Sequence, residues 1–278
     1  MFVTVLGLGL ALVVGLSLGL LGGGGSVLTV PIFVYVMGFE AKQAIAMSLI
    51  VVGAASLVGA VRHWHAGRVN LRVAVSFGLV AMAASYGSAR LAKFVSGPTQ
   101  LVLLAIVVCA AAISMARSAQ PDVIQPPTSD PVIVIGPPSG LRLMPVAIGV
   151  GLLTGLVGVG GGFLIVPALV LLGRVPIKLA IGTSLLVIAM NCAAGIVGYL
   201  GRVTMPWETV GLFTAVAITG LFAGSHLVGF VSPASLRRGF AVLLMCVGTF
   251  VLVQNWRVLA GAASSGYDRA SSWHPGKA

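Results

Sequence analysis

Two clusters of glycine carry the chemistry that this chain offers. The first reads Gly22-Gly23-Gly24-Gly25-Ser26 and leads to Pro31; the second reads Gly158-Val159-Gly160-Gly161-Gly162 and leads to Pro167. The prolines are 136 residues apart, and the same offset superposes Gly15 on Gly151, Ala44 on Ala180, Ser48 on Ser184 and Leu49 on Leu185. A helix broken by glycine leaves backbone N–H groups unpaired. Where a new helix starts beyond the break, those groups carry partial positive charge suited to an anion. The hydroxyls that follow each cluster, Ser48 in one copy and Thr183 and Ser184 in the other, either face the gap or bond a carbonyl one turn back in their own helix. Asn191, at the position of Ala55 in the first copy, reads as helix-to-helix glue or as a substrate contact. His226 is the only histidine inside an apolar run, which makes it a proton carrier or a solvated residue near an interface.

Other chemistry is poorly supplied. A Ser-His nucleophile has only His226 to draw on, and there is no His-Glu-x-x-His helix and no carboxylate pair within an apolar run. The glycine clusters lack the Lys-Ser/Thr that completes a phosphate-binding loop. Cys109, Cys192 and Cys246 stand apart in apolar sequence, so neither a disulfide framework nor a metal site is expected. His63 and His65 have no third ligand nearby. No cofactor is implied.

The elements that must position these residues are membrane helices. The chain of 278 residues is 58% hydrophobic and 8% charged, too little polar surface to cover a water-soluble core. Its acids, Glu40, Asp122, Asp130, Glu208 and Asp268, all fall between apolar segments or in the tail, so the carboxylate relay common in ion-driven transporters is missing. The net charge of +11 either concentrates an anionic substrate or sets topology through loop lysines and arginines. The expected partners are a small anion and the lipid bilayer, with no nucleic acid; a homo-oligomer is compatible with the composition.

The fold class is therefore an all-α polytopic membrane protein made of two homologous repeats. The first repeat spans 1–116, a proline-rich linker 117–141, the second repeat 142–256, and a polar tail read as disordered 257–278. Eight long apolar segments are visible, and the first of each repeat is broken at its glycines. In hydrocarbon, broken backbone survives only where protein buries it or a wet cavity bathes it, and paired breaks at matching places point to a transporter's binding site near the midplane. Close helix packing through small residues is the plainer reading. Each break makes either one crossing plus a half-helix or a there-and-back hairpin, which gives eight to ten crossings. The hairpin version makes the repeats inverted, the arrangement favoured here for its alternating-access symmetry. Pro31 is expected in the first turn of the resumed helix, and Arg62 to Arg68 as a basic interfacial loop.

The residues also resemble a known family. The Gly-x-x-Gly-x-Gly-Gly element before Pro31 or Pro167, the Ala44-x-x-x-Ser48-Leu49 and Ala180-x-Gly182-Thr183-Ser184-Leu185 segments, and the Gly-Arg-Val turns at 67 and 201 are similar to the TauE/SafE sulfite exporter family. The resemblance covers nearly the whole chain and implies a plasma-membrane (inner-membrane) permease for sulfite, sulfoacetate or another sulfur-containing anion. It departs at Met47, where the usual Ala-Thr-Ser-Leu reads Ala46-Met47-Ser48-Leu49. The candidate binding residues, read from the glycine breaks and the hydroxyls and amide that follow them, are Gly22 to Gly25, Ser26, Ser48, Gly158, Gly160 to Gly162, Thr183, Ser184 and Asn191. An intramembrane enzyme and a membrane assembly subunit are the competing readings.

Overall fold

The computed structural model describes residues 2–117, 140–158, 160–171, 177–199, 201, 203–227 and 233–255. The linker expected at 117–141 and the tail at 257–278 lie outside these, apart from the helix ends at Arg117 and at Gly140 and Leu141. Among the described residues every regular element is helical. In chain order they are α1 (Phe2–Leu21), α2 (Ser26–Pro31, prolonged by a π-helical turn Ile32–Val36), α3 (Ala41–His65), α4 (Leu71–Leu91, ending in a 3₁₀ turn Ala92–Phe94), α5 (Gly97–Arg117), α6 (Gly140–Val157), α7 (Gly162–Leu171), α8 (Ile177–Tyr199), α9 (Trp207–Leu227) and α10 (Pro233–Gln254). The stretches Ala41–His65, Leu71–Phe94, Leu179–Tyr199 and Trp207–Leu227 are long and apolar enough to cross a bilayer; at about 1.5 Å per residue each exceeds a core of about 30 Å.

Local sequence explains where the helices stop. Asn70 caps α4 by accepting the Val73 N–H at 3.1 Å. Beyond His65, Gly67 takes a left-handed φ of 67° while the Arg68 N–H reaches back to His63 O at 2.9 Å, a Schellman ending. The helix thus runs through Arg62, His63, Trp64 and His65, which the sequence alone places in a loop. Pro31 is not in a first turn either. Gly25 and Ser26 fix the start of α2, so the proline falls at its end, where the missing N–H coincides with the change to π-helical bonding.

Backbone contact between glycine-bearing helices shows how the two units fit together. A Cβ placed on Gly15 of α1 would lie 1.8 Å from Ala217 O of α9, and one on Gly151 of α6 would lie 2.1 Å from Ala81 O of α4. Gly19 and Gly155 repeat this one turn on, against Leu221 O at 2.3 Å and Ser85 O at 2.0 Å. Only a hydrogen side chain permits such approaches. Each pair maps onto the other by the 136-residue offset, so the units exchange their first helices: α1 lies on α9 and α6 on α4. Between these pairs, α3 and α8 cross in opposite directions, with Gly195 against Leu49, Gly53 against Cys192 and Gly59 against Leu185.

The glycine breaks form hairpins. In the first, Gly25 sits against Val14 O and Leu18 N of α1, and Gly7 near the start of α1 sits against Met37 at the far end of the return segment. The return segment therefore runs back along α1. In the second, Gly161 packs on Thr154 and Val150 of α6, the positions equivalent to Leu18 and Val14.

Candidate functional site

Each turn begins with a glycine that a side chain cannot replace. Gly22 and Gly158 hold φ of 66° and 77°, conformations that cost an L-residue about 1–2 kcal/mol. Each lies on an isoleucine of the other unit: a Cβ on Gly22 would meet Ile181 Cγ2 at 2.7 Å, and one on Gly158 would meet Ile45 Cγ2 at 2.5 Å. Ser184 donates to Gly22 O at 2.7 Å and Ser48 to Gly158 O at 2.5 Å. Each serine shares its one proton with the carbonyl three residues back in its own helix, Ile181 O and Ile45 O, at 2.8 Å. The duplicated serines thus fasten each unit's turn to the other unit's helix. Both are fully buried.

The turns then meet. A Cβ on Gly23 would lie 2.7 Å from Gly162 Cα, and one on Gly162 would lie 2.7 Å from Gly23 Cα and 2.6 Å from Ile188 Cδ1. Gly160 abuts Val52, Ile188 and Cys192, the middle of the α3/α8 crossing. Gly22 to Gly25, Ser26, Gly158 and Gly160 to Gly162 are all buried. Ser26 serves its own turn, donating from Oγ to Gly23 O at 2.7 Å. Among the described residues, the N–H groups of Gly23, Gly24, Gly25, Gly160 and Gly161 make no backbone hydrogen bond. Such groups are donors without acceptors in a buried region, an arrangement that native structures seldom leave unresolved.

Asn191 adds to this set. It is 0% exposed, and neither Nδ2 nor Oδ1 has a hydrogen-bond partner. On α8 it belongs to the strip Ser184, Ile188, Asn191, Gly195, spaced by three and four residues and so on one face. Ser184 bonds Gly22 O, and Ile188 touches Gly160 and Gly162, so this face is the one turned to the glycine turns. Thr29 Oγ1 in α2 and Ser56 Oγ in α3 are likewise buried without a partner. The buried polar residues of the described chain are all uncharged.

Two expected residues stand apart. Thr183 follows the glycine-rich unit in sequence, yet one residue turns a helix by about 100° and carries it off the Ser184 face. Its hydroxyl donates to Leu179 O at 2.6 Å and accepts the Asn70 N–H at 3.0 Å, which ties α8 to the start of α4. His226 is exposed in the last turn of α9, not among the buried groups.

Arg62, Thr29 and Ser56 are not among the binding residues singled out from the sequence. Arg62 falls on the α3 strip Ser48, Val52, Ala55, Gly59, Arg62, the counterpart of the α8 strip; the same three-and-four spacing would have revealed it had the helix been extended to His65.

A family model described as "Sulfite exporter TauE/SafE" matches residues 7–251. A "Probable membrane transporter protein" of Xylella fastidiosa (strain 9a5c) is 31% identical over 251 residues, covering 88% of this chain and 94% of its own. One from Methanocaldococcus jannaschii is 28% identical over 88% of this chain and 95% of its own. One from Bacillus subtilis is 21% identical over 86% and 96%. No solved structure matches the chain.

Proposed function

Since the chain belongs to the sulfite exporter TauE/SafE family and is a membrane transporter, we propose that it moves a small sulfur-containing oxyanion, such as sulfite or an organosulfonate, outward across the plasma membrane. The observation that carries this reading is the meeting of the two glycine turns against the α8 face that bears the unpartnered amide of Asn191. A sulfite or sulfonate group presents three oxygens that accept hydrogen bonds. Backbone N–H groups and a carboxamide supply matching donors without a formal countercharge, so the anion is held yet can leave. The hydroxyls of Ser48 and Ser184 keep the turns in place, and Thr183 is not part of the site.

Inverted repeats with five helical passes each are part of the proposal. Supporting it, α3 and its equivalent α8 run antiparallel, and each first helix folds back at its glycines. A two-fold that relates antiparallel membrane helices lies in the membrane plane, the symmetry that exchanges outward- and inward-facing states. The helix directions put Arg62, Arg68, Arg72, Arg142, Arg237 and Arg238 at one end, against Lys42, Arg90 and Lys93 at the other. The arginine-rich end is then cytoplasmic.

The test is flux in proteoliposomes over sulfite, sulfoacetate, thiosulfate and sulfate, with and without a pH gradient. Saturable movement of sulfite or sulfoacetate is expected. Absence of movement for every anion, from protein shown to be folded and inserted, would overturn the substrate class.

A further inference from the structure

The two-fold relation between the units fails at one place that bears on the anion's route. The α8 strip ends at Gly198, where an added Cβ would lie 2.4 Å from Ala89 Cβ of α4, so α4 packs directly on that position. The equivalent position on α3 is Arg62. Its guanidinium donates to Ser225 Oγ of α9 and lies 5.3 Å over the Phe222 ring, and among the described residues it forms no ion pair. Arg62 is only partly exposed. One turn inward, Gly59 is flanked by Leu185 Cδ1 and Leu221 Cδ1, 3.0 and 3.2 Å from where its Cβ would be, an apolar layer between the arginine and the glycine turns.

A partly buried cation with a hydroxyl and a ring for company, and no carboxylate among the described residues, has unused capacity for an anion. Arginine presents a planar fork of donors that fits two oxygens of an oxyanion at once, and the ring beneath it restrains the fork without neutralising it. We infer that Arg62 forms an outer binding site for a small oxyanion at the α3/α9 end of the molecule, beyond the Leu185/Leu221 layer. The anion passes from this site to the glycine turns when α3 and α9 part. The asymmetry with Gly198 makes this end the mouth through which substrate enters. The inference rests on the proposed anion transport, and it gives that transport a direction of loading.

The chemistry that Arg62 recognises is shared by free oxyanion and by lipid phosphate, so the experiment has arms for both. Purified protein in neutral detergent is treated with phenylglyoxal, and adducts at Arg62 and at the exposed Arg72 are quantified by peptide mass spectrometry. Sulfoacetate, which unlike sulfite does not add to the reagent's aldehyde, is expected to slow modification of Arg62 several-fold and to leave Arg72 unchanged, with chloride at equal ionic strength giving no protection. The same measurement is repeated in vesicles of neutral lipid and of neutral lipid with phosphatidylglycerol. Protection that requires phosphatidylglycerol, or no protection by sulfoacetate in any arm, overturns the inference. In proteoliposomes, Arg62→Gln should raise the half-saturating sulfite concentration roughly tenfold or more from the Arg62 end alone, because a charge-assisted fork is lost; Arg62→Lys should recover part of it and Arg72→Gln should change nothing. Equal effects from both ends would also overturn it. Protection of Arg62 in a protein that carries none of the anions would leave the outer site standing and remove the transport reading, so the two fail separately.

Discussion

Gly23→Ala is expected to reduce sulfite flux to about a tenth of wild type or less at matched membrane abundance. Gly23 has φ 152°, outside the usual range of L-residues, and the strain is on the order of 1–2 kcal/mol. The new methyl would also meet Gly162 C and Cα at 2.7 Å. These are backbone atoms that cannot rotate away, and overpacking of this kind costs about 1–3 kcal/mol. The relief available is for the two turns to separate, which pulls their N–H groups out of register with a shared ligand. Gly162→Ala approaches the same contact from the opposite side and should impair flux similarly. Gly87→Ala, where nothing lies within 4 Å, should be tolerated. Folded Gly23→Ala protein with wild-type flux would mean that the contact between the turns is not part of the transport site.

Asn191→Leu is expected to leave stability unchanged or to increase it while removing most of the flux. The buried amide has no partner at either atom, and each unsatisfied buried group costs about 1–3 kcal/mol. A leucine, with the same branched shape and number of heavy atoms, removes that cost. If the amide instead served to glue helices together, the same change would lower stability by about 0.6–2 kcal/mol, the range found for interhelical side-chain bonds in membranes. Thermal unfolding in detergent and flux, measured on one preparation, separate the two roles because they predict opposite signs for stability. Flux near wild type with improved stability would leave Asn191 without a part in binding.

Much of this architecture is written in the 136-residue offset, which pairs Ser48 with Ser184 and Gly22 with Gly158. What the offset cannot show is who meets whom. Periodicity assigns Ser184 to a face of α8, but only the folded chain reveals that the face meets Gly22 of the other unit and not its own Gly158. The course of the chain after the break was equally hidden, since a short run there suits both a half-helix and a hairpin; in the folded chain it packs back along α1, with Met37 beside Gly7. The face of Thr183 was hidden as well: adjacency in sequence is a turn of about 100° on a helix, and its hydroxyl bonds Leu179 and Asn70. Arg62 was obscured by its neighbours: beside two histidines and a tryptophan it looked like an interfacial loop, although the Schellman ending at Gly67 keeps it helical.

Selenite shares the three-oxygen geometry of sulfite and carries an atom that can be located by anomalous scattering, so a crystal structure with selenite bound tests the central claim most directly. A selenium peak between the Gly23–Gly25 and Gly160–Gly162 turns, within hydrogen-bond reach of their N–H groups and of the Asn191 amide, is the predicted result. No ligand density at the turns, with selenium located at a different place in the helical body, would contradict it.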